Sequence, residues 1–414
     1  MVIEKSYIIY IRIIMLEDLT SNKLYRDKLN ILHIVQYDFE IFKGGIQRYV
    51  KELSEIQALK GYNVVVYSCS KEPTTKNVNG VTIKRFNYLE VFRTPISISM
   101  ILSLLKEERF DIIHIHAQFP LVAELITLIA WLRRIPIVIT YHNEVELTNM
   151  SLVTRLAYKI WSITLLKIML YLSKIIIVTT REFALTSPIL SNNKYKDKIH
   201  IIPIGVFINN SSNNINIVNI TDNKTLAHKN YILYVGRIKP EKGIHILIQA
   251  ISLLKEIKID INLFIIGEAT RYDELKYKNE LEKLVADLEL NKNVVFCGRV
   301  SDEELHTYYK NAIALVLPST SRLEGFGIVQ LEAMRHGIPI IVSDIPGPKS
   351  VSEGVSIPVK PHPYDISQAI LKVLDNDYRE KIRILSLCKI QEYKWDKIAD
   401  KIEYLYHSIK NKRQ

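Results

Sequence analysis

Glycine is scarce in this chain, 14 of 414 residues, about half the usual frequency. Where glycines cluster or sit beside proline they therefore answer a backbone need. Acidic residues are outnumbered as well. Lys+Arg total 55 against Asp+Glu 44, and the net charge of +11 favours anionic partners such as phosphate groups, nucleic acid or an acidic membrane surface without choosing among them. The three cysteines, Cys69, Cys297 and Cys388, have no paired spacing; this excludes a disulfide scaffold and a cysteine metal site and fits a reducing cytosol. Asn-x-Ser/Thr triplets at Asn149, Asn210, Asn219 and Asn223 are silent outside a secretory lumen. Long apolar runs are missing too. The stretch Tyr7 to Leu16 is interrupted by Arg12, lacks a small-residue cleavage site and is too short to span a bilayer, so it reads as an extra strand or a loose leader.

What is present is ordinary globular material. Hydrophobic residues make up 48% and charged residues 24%, which excludes wholesale disorder, a collagen-like repeat and a multi-span membrane protein. At roughly 150 residues per domain, the length predicts two or three domains.

From Ile31 onward, short β-rich runs alternate with helical patterns: ILHIVQY, NVVVYSC, VTIKRF, DIIHIHA, IPIVITYH, KIIIVTT and IHIIPIG, with a first helix near Ile46 to Leu59. Continuous apolar strands separated by helices predict a parallel sheet covered on both faces, a doubly wound α/β domain. Residues 209–230 are rich in Asn, Ser and Thr and read as a linker. A second alternation follows: YILYVGR, INLFIIG, VVFCGRV, IALVLPS and IPIIVSD, with helices expected near Ile244 to Leu254, Tyr272 to Leu288, Asp302 to Lys310 and Phe326 to Arg335. The expected domains are an N-terminal extension (1–30), a first α/β domain (31–208), the linker, a second α/β domain (231–390) and a C-terminal helix with a basic tail (391–414). A catalytic site is expected in the cleft facing the carboxyl ends of both sheets.

Three segments carry unusual residues. Gly44-Gly45 follows the first strand and opens a helix; it is either a plain tight turn or a place where backbone and helix dipole meet a phosphate. It is not the three-glycine dinucleotide pattern, which disfavours a hydride-transfer cofactor. Between Gly236 and Gly243, Arg237 and Lys242 lie where a strand end meets a helix start, so a fork donor and a point charge can converge on a diphosphate; the alternative is a solvated basic loop. In the third segment, Pro318 to Met334, a turn with Gly325 and Gly327 precedes a helix. Glu324, ahead of that helix, can accept from sugar hydroxyls, while the amides around Phe326 and Gly327 can hold phosphate oxygens and Glu332 can reach a ribose. Alternatively, Glu324 caps its helix and Glu332 pairs with a neighbouring arginine.

Read in order, GGIQRY, DIIHIHA, TYHNE, VGRIKPEKG, FCGRV, LPSTSRLEGFGIVQLEAM and GIPIIVSD resemble the retaining, two-Rossmann-domain (GT-B) glycosyltransferases of family 4, also called glycosyl transferases group 1. The resemblance covers about Ile31 to Tyr406. Its most specific element is the Glu-x7-Glu pair Glu324 and Glu332, followed by Arg237 and Lys242. The resemblance implies a nucleotide-sugar donor, with its diphosphate on Arg237 and Lys242, its ribose on Glu332, and its sugar and phosphate on Glu324, Gly325, Phe326 and Gly327. Gly44 and Gly45 would close over the diphosphate from the other domain, the backbone around Val300 would hold the base, and His116 would touch the sugar near the reacting carbon. His114 and His116 alternate with isoleucines, so both point to one face of their strand. The resemblance further implies retention through a front-face path without a metal or other cofactor. Asp375-Asn376-Asp377 reads as a surface turn, not a metal ligand set. One departure stands out: after Asp344-Ile345-Pro346-Gly347-Pro348 this chain has Lys349-Ser350-Val351-Ser352-Glu353 where family members commonly carry an Ile-Pro-Glu stretch.

From Glu146 to Glu182 no acidic residue intervenes, whereas Arg155, Lys159, Lys167 and Lys174 fall within an arc of roughly 120° beside an apolar face with Trp161, Ile168 and Leu172. Two readings stand: a core helix with its basic stripe in water, or a helix lying on an anionic membrane surface. The expected protein is a cytoplasmic hexosyltransferase, peripheral on the membrane if the second reading holds. Its donor guesses are GDP-mannose and UDP-glucose, and its acceptor a glycan or lipid-linked glycan. A nucleotide-sugar epimerase and a non-catalytic sugar-nucleotide-binding subunit are the alternatives. No recognition motif for nucleic acid accompanies the charge.

Overall fold

The computed structural model describes residues 28–410 apart from 42–43, 92–93, 107–109, 117–119, 143, 145–150, 209–229 and 322–323. All but residues 28–30 of the N-terminal extension, and nearly all of the Asn-rich linker, lie outside the described residues. The chain divides into two compact units, the first running to Gly205 and rejoined by Trp395 onward, the second Val206–Lys394. The C-terminal helix, expected as a separate tail, thus belongs to the first unit.

The first unit contains β1 (Asn30–Tyr37), α1 (Gly45–Leu59), β2 (Asn63–Cys69), β3 (Thr75–Val78), β4 (Val81–Phe86), the hairpin β5 (Leu89–Val91) and β6 (Thr94–Ile96), α2 (Ile98–Lys106) and β7 (Ile112–His116). It continues with α3 (Val122–Leu132), β8 (Ile137–Tyr141), α4 (Leu152–Ile163), α5 (Leu165–Leu172), β9 (Ile175–Val178), α6 (Arg181–Thr186) and β10 (Ile199–Ile201). Its sheet runs β10-β9-β8-β7-β1-β2-β4-β3, parallel except for the edge strand β3. The strands read from the sequence reappear as β1, β2, β4, β7, β8, β9 and β10. Ile and Val fill them because both faces are covered, and Leu32, Ile34, Ile113, Ile115, Ile137 and Ile139 enter one apolar core.

The second unit contains β11 (Tyr231–Val235), α7 (Ile244–Glu256), β12 (Asn262–Ile266), α8 (Tyr272–Asp287), β13 (Val294–Gly298), α9 (Asp302–Asn311) and β14 (Ala314–Leu317). After these come α10 (Val329–His336), β15 (Ile340–Ser343), α11 (Pro346–Val351), β16 (Ser356–Val359), α12 (Pro363–Val373) and α13 (Asn376–Lys389), and the chain ends in α14 (Trp395–Lys410) of the first unit. Its sheet, β13-β12-β11-β14-β15-β16, is all parallel. In each unit strand order reverses beside the first strand, between β1 and β7 and between β11 and β14, and ligands of such sheets bind outside the strand ends at that switch point.

Two helices depart from expectation. α10 starts at Val329 rather than near Phe326, because Gly327 takes the left-handed conformation (φ 73°) and stops helical geometry from reaching back. The basic helix between Glu146 and Glu182 is two helices, broken at Thr164 (φ −115°, ψ −88°), whose hydroxyl donates to the Ile160 carbonyl at 2.6 Å. Of α4 only Trp161 is buried, while Leu152, Val153, Leu156, Ile160 and Ile163 are exposed. The core-helix reading therefore fails for α4: its apolar side, not only its cations, faces outward. No helix among the described residues is long and apolar enough to cross a membrane.

Candidate active site

At the switch point of the second unit the turns after β11 and β14 come together. Gly243 ends the first turn with φ 68°, and a Cβ there would lie 2.0 Å from the Pro318 carbonyl oxygen, so only glycine lets the turn pack against the end of β14. Thr320 N donates to Glu241 O at 2.9 Å across the same junction. Arg237 is half exposed and donates to Glu274 Oε1 at 2.5 Å; Glu274, on the first turn of α8, is buried and also accepts from the backbone N–H groups of Thr270 and Arg271. Burial raises the Glu274 pKa, but those amides, Arg237 and Lys239 at 3.8 Å outweigh it and hold the carboxyl below its usual value. Lys242 pairs with Glu324, which also accepts from Ser319 Oγ at 3.2 Å. The first two segments singled out in this half, around Arg237–Lys242 and Glu324, are therefore brought into direct contact.

Phe326 is buried, and Gln330, fully buried, donates to the Phe326 and Pro348 carbonyl oxygens at 2.9 and 3.1 Å and accepts from Ser352 Oγ at 2.5 Å. The unusual Lys349–Glu353 stretch is thus tied to the loop carrying Gly325, Phe326 and Gly327. Glu332 is on the first turn of α10 and lies 3.7 Å from Arg335, the pairing considered from sequence. Val300 follows β13. Beside it a cavity of ≈240 Å3 opens at the carboxyl ends of β11, β12 and β13, lined by Ile238, Gly267, Glu268, Leu275, Phe296 and Gly298 among others. Asp375 caps α13 by accepting from Asp377 N at 2.9 Å, so the Asp-Asn-Asp triplet is a helix start.

In the first unit Gly44 is the N-cap of α1 and Gly45 its first residue; among the described residues no side chain caps this end, which an anion-binding terminus requires. At the β1/β7 switch point, His33, His114, His116 and His142 are all buried on one face of the sheet. His33 Nε2 lies 2.7 Å from Gln57 Oε1, His33 Nδ1 3.0 Å from His116 Nε2, and His116 Nδ1 3.3 Å from His142 Nε2. His114 bonds Tyr406 Oη of α14 at 2.5 Å and Thr140 Oγ1 at 2.6 Å. Burial holds all four imidazoles neutral at pH 7, pushing His33 down to about 4, His142 to about 3, and His114 and His116 well below the ordinary value with help from neighbouring rings. His33, His114 and His116 lie close enough to offer one nitrogen each to an ion. Both ring nitrogens of His114 and of His116 are already engaged, however, so metal binding would have to displace Tyr406, Thr140 or a neighbouring imidazole. His116 itself, expected at the sugar, has neither nitrogen open.

Sequence reading did not single out Glu274, Gln330, Gln57 or His33. Glu274, Gln57 and His33 reach their partners from a remote element or a non-sequential neighbour strand, so no local spacing marks them; Gln330 lies inside the Pro318 to Met334 segment, and its role shows only in its bonds to Pro348 and Ser352.

Glycine-bearing turns at the switch points of two doubly wound, largely parallel sheets are the layout of the GT-B fold. The model of the family Glycosyltransferase Family 4 matches residues 43–209 and that of Glycosyl transferases group 1 matches residues 219–384. The chain belongs to this family of glycosyltransferases. It is 42% identical to the O-antigen chain mannosyltransferase RfbU of Salmonella typhimurium over 121 residues, 28% of this chain and 31% of that protein. Identity to the O-antigen chain mannosyltransferase C of Escherichia coli is 25% over 334 residues, 77% of this chain and 80% of that one. Among solved structures, sucrose-phosphate synthase from Thermosynechococcus elongatus superposes with a TM-score of 0.73 at 22% identity, covering 92% of this chain and 99% of that one.

Proposed function

We propose that this protein is a retaining hexosyltransferase that moves a sugar from a nucleotide-sugar donor to a glycan or lipid-linked acceptor without a metal. The observation that carries the reading is the convergence of Arg237, Lys242 and Glu324 on one switch point. Arg237 and Lys242, now neutralised by Glu274 and Glu324, exchange those partners for the two donor phosphates. The amides near Phe326 and Gly327 add dipoles, Glu332 holds the ribose, the cavity beside Val300 takes the base, and Gly44 with Gly45 supplies a further anion-facing helix start. As the bond between the anomeric carbon and the phosphate oxygen breaks, charge grows on the leaving diphosphate, where these cations sit. The acceptor oxygen bonds the anomeric carbon on the same face, and its proton passes to the leaving phosphate oxygen. Relatives described as O-antigen mannosyltransferases favour GDP-mannose over UDP-glucose and a lipid-linked glycan as acceptor.

The first unit carries a matching surface for that acceptor. Beside the apolar side of α4, Ile168 and Tyr171 of α5 and Leu125, Leu128, Trp131 and Leu132 of α3 are exposed, with Arg155, Lys159, Lys167 and Lys174 exposed among them. Apolar area ringed by cations suits an anionic bilayer surface and supports a peripheral position on the cytoplasmic membrane face. The test is release of nucleoside diphosphate from GDP-mannose and UDP-glucose, with and without extracted lipid. Release from one donor that rises with lipid is expected. Binding without release under every condition rejects the reading in favour of a binding subunit, and isomerised nucleotide sugar rejects it in favour of an epimerase.

A further inference from the structure

The cavity beside Val300 has a backbone floor and one charged edge. Gly236 and Gly267 follow β11 and β12, and Gly298 ends β13. Gly236 N donates to Ile266 O at 3.0 Å and Gly267 N to Gly298 O at 2.8 Å. A Cβ on Gly267 would stand 1.8 Å from the Gly236 carbonyl oxygen at φ 151°, so the strand ends close up only with glycine there. A Cβ on Gly298 would meet nothing within 4 Å, so the space beside it is open. Ile238, Leu275 and Phe296 make the lining apolar, and two charged residues complete it, Lys278 and Glu268. Lys278 of α8 is paired with Glu282 at 3.3 Å. Glu268 is half exposed, and no hydrogen bond occupies its carboxylate among the described residues; its ion-pair contact there, Arg299 Nη1 at 3.9 Å, is longer than a hydrogen bond. Ile238 N donates to Glu268 O at 3.2 Å, which puts this carboxylate on the turn adjoining Arg237.

We propose that Glu268 selects the base of the donor, its two carboxylate oxygens accepting from N1–H and the 2-amino group of guanine, so that the nucleotide bound here is a guanosine diphosphate. The inference rests on the nucleotide-sugar reading for the presence of a base; the choice of base is argued from the cavity alone. An apolar slot takes the faces of a flat ring and leaves its identity to whatever polar group meets its edge. A carboxylate only accepts. Guanine presents two donors side by side on one edge, which suits the two oxygens of one carboxylate. Uracil presents a single N–H between two carbonyl oxygens, so one carboxylate oxygen would face a like partial charge. Adenine presents one amine beside a bare ring nitrogen, with the same conflict. A site built for two donors rejects ligands that leave one of its acceptors opposed or unpaired.

The test is titration calorimetry on the full chain with GDP, inosine diphosphate, UDP, ADP and inorganic pyrophosphate. Inosine diphosphate differs from GDP only in lacking the 2-amino group, so the wild-type comparison of the two needs no variant and no assumption about folding. GDP should bind about tenfold tighter than inosine diphosphate, the size of one hydrogen bond to a charged acceptor, and tighter than UDP and ADP by at least as much. Glu268→Gln keeps the shape but sets an amide N–H2 against one of the guanine donors. It should bring GDP down to the affinity of inosine diphosphate while pyrophosphate binds as before, which reports an intact diphosphate turn. Equal wild-type binding of GDP and inosine diphosphate, or tighter binding of UDP or ADP than of GDP, overturns the choice of guanine. A GDP preference that survives in Glu268→Gln overturns the role of Glu268. If neither the nucleoside diphosphates nor pyrophosphate bind the wild-type chain, the nucleotide-sugar reading itself fails and takes this inference with it, a result distinct from binding without preference.

Discussion

Arg237 and Glu274 stand 37 residues apart in sequence, yet the guanidinium meets the buried carboxylate at 2.5 Å and is held over the end of β11 by it. The carboxylate fixes where the cation waits and keeps it oriented before a diphosphate arrives. Arg237→Ala should weaken nucleoside diphosphate binding by about tenfold to a hundredfold, the range of a charge-assisted pair. Glu274→Gln keeps the shape but loses the charge, and should raise the donor KM with a smaller effect on kcat. Titration calorimetry and steady-state kinetics check both; unchanged affinity in Arg237→Ala rejects the phosphate assignment.

Glu324 shares Lys242 and Ser319 with the donor turn. Glu324→Ala should lower kcat by on the order of a hundredfold while the bare diphosphate still binds, because Arg237 remains. A variant with wild-type turnover removes Glu324 from the reacting sugar.

Gly243→Ala tests the joint between the two turns. Its Cβ would meet the Pro318 carbonyl oxygen at 2.0 Å at a backbone angle of φ 68°. A loss of about 1–3 kcal/mol in denaturant unfolding of the second unit is expected, with weaker diphosphate binding beyond that loss because Lys242 precedes the glycine. Wild-type stability would show that the turns are not clamped at this point.

The buried histidines make stability depend on pH. The folded His33 pKa is about 4 against 6.5 in the unfolded chain, so the unfolded state takes up the proton first. That contribution is full above pH 6.5 and is lost as pH falls from 6.5 towards 4, and His142 acts in the same direction down to about 3. Buried Glu124 and Glu403, raised to about 7, act oppositely: their contribution is full below 4.5 and lost as pH rises to 7. His33→Asn should therefore flatten the acid limb of the Tm profile between 6.5 and 4 relative to wild type; an equal slope contradicts the burial of a neutral imidazole.

Membrane docking predicts cosedimentation with anionic vesicles that weakens with salt. Leu156→Ser together with Ile160→Ser should abolish it, as should Lys159→Glu with Lys167→Glu. Binding that is absent at low salt ends the docking account.

Much of this was legible in sequence because strands buried on both faces leave continuous Val and Ile runs, and because Gly236, Gly243, Gly325 and Gly327 bracket the charged turns. The parts that were not legible depend on tertiary neighbours. Strand order places β1 beside β7, so His33 meets His116 across 83 residues, and no spacing rule announces that. The break at Thr164 follows a side-chain hydrogen bond to the preceding turn, in a segment whose apolar periodicity runs straight through it. Short strands such as β3, β5, β6 and β16 carry too few apolar residues to show a period. α14 returns to the first unit because Trp395 packs on Gly205, where a Cβ would come within 2.3 Å of the indole, and donates to Glu52 at 2.6 Å; amphipathic spacing shows a helix there but not its destination.

The most direct test of the central claim is the anomeric configuration of the product formed from GDP-mannose or UDP-glucose in the presence of EDTA, read by NMR on the isolated glycan. Transfer with the configuration of the donor preserved is predicted. An inverted product, or transfer that stops on chelation and returns with a divalent ion, would contradict the account.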